Sequence, residues 1–147
     1  MKRLVIMTVC AGILTAGCVT GGMKEAWRGF KGDSTKILSD TRSSAVSREF
    51  TCGRGDCVKK VEESLKELKA YVYAREGELI AVYVSEEDTT PVGIFISAAE
   101  GEKARIEVSS PSSFARDALS AKLFTSLEKK LKAKKIEVQL DAVEGGH

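Results

Sequence analysis

An α+β fold is predicted, built as a two-layer sandwich with two amphipathic helices on one face of an antiparallel sheet. Three observations predict it. Residues 56–68 and 113–132 carry apolar side chains at helical spacing. Four short runs between them alternate at period two. Glycine turns at Gly77 and Gly101 separate those runs in pairs, the spacing of antiparallel hairpins. The element order is β-α-β-β-β-β-α.

The first strand is expected within SSAVSREFT, 43–51, where Val46 and Phe50 stand among small and charged residues. DCVKKVEESLKEL, 56–68, is a helix whose Val58, Val61, Leu65 and Leu68 share one face. Lys59/Glu63 and Glu62/Lys66 fall at i,i+4 on its wet side, and Asp56 is the expected N-cap. KAYVYAR (69–75) and ELIAVYVS (78–85) flank Gly77; PVGIFISAA (91–99) and KARIEVSS (103–110) flank Gly101. Val92, Ile94 and Ile96 face one way with Ala104, Ile106 and Val108. Gly93, Arg105 and Glu107 point to the other face, which is expected to be wet. Ser110-Pro111-Ser112-Ser113 opens a long helix through about Lys132, with Leu119, Leu123, Leu127 and Leu131 recurring every four residues. Ala115, Ala118 and Phe124 widen that stripe enough to cover a sheet. KKIEVQLDAV, 134–143, reads as a last strand or an extended tail.

The N-terminus carries a different signal. Met1-Lys2-Arg3 is basic, and the 14 residues Leu4–Gly17 hold no charge. That run is short of the roughly 20 residues that cross a bilayer core. A basic start, a short apolar stretch and small residues before a cut site describe a signal peptide. The expected organisation is therefore a signal peptide over 1–17, a tether over 18–42, the α+β domain over 43–135 and a C-terminal strand or tail over 136–147. Removing 1–17 leaves 130 residues with 21 basic and 21 acidic side chains. A neutral domain argues against nucleic acid as a partner, since phosphate binding needs a basic excess. In the tether, Trp27 and Phe30 either touch lipid headgroups or pack on the folded domain.

Of four cysteines, Cys52 and Cys57 fall in TCGRGDC, 51–57, with four residues between them. Two glycines allow the turn that a disulfide needs there. The spacing is not Cys-x-x-Cys and Asp56 opposes a thiolate, so a structural staple is expected over a redox pair. Two sulfurs are too few for a closed zinc site, and the single histidine, His147, is a tail residue. Arg54-Gly55-Asp56 is a chance tripeptide. SEEDTT, 85–90, lacks the ligand spacing of a calcium loop. LEKKLKAKK, 127–135, brings five lysines to the expected helix end, where the macrodipole favours cations; an anionic lipid surface or an acidic partner is the other reading. With one terminal histidine, no serine–histidine triad and no phosphate loop, no enzyme activity, cofactor or metal is expected.

Thr15-Ala16-Gly17-Cys18 resembles the lipobox of bacterial lipoproteins, departing from the common pattern at Thr15, where leucine is usual. The resemblance implies a diacylglyceryl group on the Cys18 thiol and anchoring in the cell envelope. Val19, in place of an aspartate, implies the outer membrane with the domain facing the periplasm. Over about 43–132, the order of elements with "VEESLKEL", "VGIFIS" and "ARIEVSS" is similar to small bacterial lipoproteins of unknown function. More remotely it resembles the helix-grip domains of the lipoprotein C subunit of the outer-membrane barrel-assembly machine. This implies a non-catalytic interaction or structural module with an envelope protein partner. The alternative is a carrier of a small apolar ligand or lipid, with Tyr71, Tyr73, Tyr83 and Phe95 lining a groove between helix and sheet.

Overall fold

The computed structural model describes residues 33–144, with side chains through Val138. The signal peptide, Cys10, Cys18, Trp27, Phe30 and His147 lie outside the described residues.

Alternation places the strands where the sequence predicts them. They are β1 (Val46–Phe50), β2 (Tyr71–Glu76), β3 (Leu79–Tyr83), β4 (Pro91–Ala99) and β5 (Lys103–Ser109). All pair antiparallel in the order β1-β5-β4-β3-β2, an open five-stranded sheet. Both hairpin glycines have positive φ, 57° at Gly77 and 71° at Gly101, a backbone region in which a Cβ is strained.

Two helices cover one face: α2 (Arg54–Glu67) and α3 (Ser113–Glu144). Val61 and Leu65 of α2 and Leu119, Leu123, Phe124 and Leu127 of α3 bury against Ile80, Val82, Ile94, Ile96, Ile106 and Val108. The resulting core is continuous, as expected of an α+β sandwich. Ser112 caps α3 by accepting a hydrogen bond from the Ala115 N–H at 3.3 Å. Ser110 closes the entry turn by donating to Pro91 O at 2.7 Å.

Several expectations are corrected. Asp56 does not cap α2; the N-cap is Gly53. Asp56 sits in the first turn and accepts a 3.1 Å hydrogen bond from Lys134 of α3 instead. The i,i+4 pairs on α2 do not form. Glu62 bonds Arg75 of β2 at 2.8 Å, and Glu63 lies 3.7 Å from Lys130 of α3. Tertiary neighbours hold those cations in place, whereas a helical i,i+4 pair must immobilise two long side chains for a few tenths of a kcal/mol.

The segment 136–144 is neither strand nor tail but the end of α3. Its alternating IEV suggests a strand, yet no proline or glycine intervenes between Ser113 and Glu144, and extending a formed helix costs far less than nucleating a new element. The five lysines of 127–135 consequently lie in mid-helix, so the macrodipole does not account for them.

Finally, residues 33–40 are not tether. They form a helix, α1, followed by a 3₁₀ turn, Thr41–Ser44. Leu38 of α1 is fully buried against Leu79, Ala81 and Phe95 on the sheet face away from α2 and α3. That outer face is therefore partly covered rather than wet.

Cys52 and Cys57 form a disulfide with Cα atoms 5.7 Å apart, stapling the end of β1 to the first turn of α2. Closing so short a loop restricts the unfolded chain by about 2 kcal/mol. A Cys52→Ser/Cys57→Ser variant is expected to lose about that much in a urea melt, and to complement a deletion strain normally. Loss of complementation at a temperature where the variant stays folded would restore the redox reading.

Candidate functional site

The outer face of the sheet gathers the aromatic residues singled out in the sequence. Tyr71 pairs with Tyr83 across β2 and β3, and antiparallel partners share a face. The register of β2 slips between Val72 and Ala74. Tyr73 shares the Tyr71 face by strand alternation, and the bulge brings Ala74 onto it as well, opposite Ala81, so that Tyr73 and Ala74 both pack on the Leu38 cluster. Tyr73 stacks on Tyr83 with ring centroids 4.3 Å apart, and Tyr71 on Tyr83 at 6.2 Å. Phe95 lies in the same cluster, one strand on.

The four residues thus come together, but on the face under α1. The layer between the sheet and α2/α3, where the sequence suggests a groove, is filled by the main core.

Three residues complete this face: Ser34 and Arg42, to which the sequence gives no role, and Gly93, which its alternation already turns to this side. Ser34 of α1 shares a 2.6 Å hydrogen bond with the Tyr73 hydroxyl. Arg42 lies 4.4 Å from the Phe95 ring centroid. Its guanidinium donates to Glu107 at 2.9 Å through Nε and reaches Glu78 at 3.7 Å. Gly93 lies beneath Leu38; a Cβ there would come 3.1 Å from Leu38 Cβ. A glycine in the middle of an apolar strand marks a close approach, and that is the one signal that points to α1 in advance.

Chemically the face is a packing surface. Burial pushes the Tyr73 hydroxyl above its ordinary pKa; the Ser34 hydrogen bond opposes the shift and Tyr83 adds to it. The phenol stays protonated at neutral pH and cannot serve as a base. Phe95 is closed off by Arg42 and Leu38, while Tyr71 is half exposed. A depression of about 600 Å³ beside Tyr71 is lined by Lys66, Lys69, Ser85, Glu86 and Glu87, charged groups ill suited to an apolar ligand.

Among the described residues, no three His, Cys, Asp or Glu side chains are placed to hold a metal. No described helix is long and apolar enough to cross a membrane. No protein-family model and no curated protein matches this chain.

Proposed function

We propose that this chain is a lipid-anchored protein of the bacterial cell envelope, tethered through Cys18 to the outer membrane, and that its α+β domain is a non-catalytic interaction or structural module. The observation that carries the reading is Ala16-Gly17-Cys18 behind a charge-free run and a basic start. Each buried acyl methylene contributes about 0.8 kcal/mol, so two or three chains hold a protein on a bilayer. A disulfide between Cys52 and Cys57 suits an oxidising compartment such as the periplasm. The aromatic outer face is packed beneath α1, which favours a module over a ligand carrier.

Labelled palmitate is expected to enter the wild-type chain and not a Cys18→Ser variant, with the wild type in the outer-membrane fraction. Absence of label, with the protein free in medium or cytosol, would overturn the proposal. In-cell crosslinking of the wild type then identifies the partner.

A further inference from the structure

The helical layer and the sheet carry different residual charge. Of the acidic side chains on α2 and α3, every one from Asp56 to Glu128 is held in an ion pair. Lys130 and Lys134 are used in those pairs. Eight other lysines, on α2, on the turn after it and on α3, form no ion pair with any described side chain; Lys122, Lys129 and Lys132 are among them. On the sheet side the surplus is acidic. Glu76, Glu86, Glu87, Asp88, Glu100 and Glu102 have no ion-pair partner among the described residues, against one unpaired lysine, Lys103. Glu86 and Glu87 border Lys66 and Lys69, and Glu102 borders Lys60 and Lys135, at the rim of the helical layer.

The free cations are all lysines. Each of the six described arginines is engaged: Arg42, Arg48, Arg75, Arg105 and Arg116 with carboxylates, and Arg54 with the Ile96 and Gly77 carbonyls. A planar guanidinium suits a fixed, bidentate partner, whereas an ammonium on a flexible stem suits phosphates that have no fixed position.

The outward stripe of α3 adds a second feature. Phe114, Lys122, Thr125, Lys129, Lys132 and Ile136 succeed one another at helical spacing, opposite the buried Leu119–Leu123–Leu127 stripe. Phe114 is 83% exposed and Ile136 58%. At 1.5 Å per residue the stripe runs about 33 Å. One exposed large apolar side chain at each end of a row of lysines supplies both parts of lipid-surface binding, insertion into the headgroup layer and attraction to anionic lipid. The acids that follow, Glu137, Asp141 and Glu144, all come after Ile136, beyond the basic stretch.

We infer that the outer face of α3, with the free lysines of α2 beside it, docks on an anionic phospholipid surface, with the sheet on the far side of the helices from the bilayer. Phe114 and Ile136 enter the headgroup layer while Lys122, Lys129 and Lys132 meet lipid phosphates. The inference deepens the anchored-module reading and rests on it: the anchor holds the domain near the bilayer, and this face decides how the domain lies.

The test uses the full chain with Trp27→Phe and Phe114→Trp as a single reporter, added to vesicles of phosphatidylcholine alone or with about 30 mol per cent phosphatidylglycerol, both containing brominated lipid. Quenching of the reporter on the anionic vesicles only, abolished at high salt, is the expected result. Reversing three surface cations, Lys122→Glu/Lys129→Glu/Lys132→Glu, should weaken the quenched state on the order of 100-fold or more. The variant's melting temperature serves as the folding control. Equal quenching on both vesicles, quenching indifferent to the reversals, or a dry reporter in a chain crosslinked to an acidic protein would each overturn the inference. Palmitate labelling is read in parallel. An acylated chain with an unquenched reporter removes this inference alone, whereas an unlabelled chain removes the anchor.

Discussion

Leu123→Ala is expected to lower stability by about 3 kcal/mol, within the roughly 2–5 kcal/mol range of buried leucine truncations. Leu123 is fully buried at the centre of the α3 stripe, in one cluster with Val61 and Leu65 of α2 and Ile94, Ile96 and Ile106 of the sheet. Truncation removes apolar area from that contact and leaves a cavity that two helices and a sheet cannot all close on. At about 3–5 °C per kcal/mol for a domain of this size, the melting midpoint should fall by roughly 9–15 °C. Lys122→Ala is the control one residue away. Lys122 is exposed and free of ion pairs with described side chains, and should change stability by less than about 0.5 kcal/mol. Paired melts of the two variants check the layer assignment. Similar losses in both would mean that α3 does not present Leu123 to the sheet.

Gly93→Val probes the other face, and its expected sign opposes strand propensity. Valine favours a β-strand and glycine weakens one, so on local grounds the change should stabilise β4. The structure reverses this. A Cβ at position 93 meets Leu38 Cβ and Ser109 Oγ at 3.1 Å and Leu79 Cδ1 at 3.2 Å. Ser109 Oγ also donates to Leu38 O at 2.9 Å, fastening α1 to β5. A branched side chain must push α1 outward, breaking that hydrogen bond and the Ser34–Tyr73 bond together. Overpacking of this kind costs about 1–3 kcal/mol. The loss should be local: amide protection in 33–40 should collapse while the α2/α3 side of the sheet keeps its protection. A Gly93→Val protein with unchanged protection in α1 would show that the helix does not sit there.

The two variants mark where local pattern suffices and where it does not. Val92, Ile94 and Ile96 in β4, and Ala104, Ile106 and Val108 in β5, are legible because a strand with one buried face must alternate. Leu119, Leu123 and Leu127 are legible for the same reason at helical period. Short helices with one deep contact leave no such trace. In DSTKILSD only Thr35 and Leu38 are buried, and Ile37 faces outward at 47% exposed, so no apolar stripe announces α1. The aromatic set shows the same limit. Tyr71, Tyr73, Tyr83 and Phe95 share a face as the strand period requires, but which helix covers that face depends on Gly93 and on a bulge at Tyr73 that pattern does not reveal.

Composition and periodicity alone established the α+β class, the strands, the two amphipathic helices and the Cys52–Cys57 staple, because each follows from neighbours in the chain. Packing in three dimensions decided the rest: the extra helix on the second face, the helical continuation through Glu144, and the partner of every carboxylate on α2. Those carboxylates turn to Arg75, Lys130 and Lys134 because the fold holds distant cations within hydrogen-bonding reach, while a same-helix pair would first have to order two flexible side chains for little return. Lys59 and Lys66 are thereby left unpaired among the described side chains, a surplus of charge that only the folded chain displays.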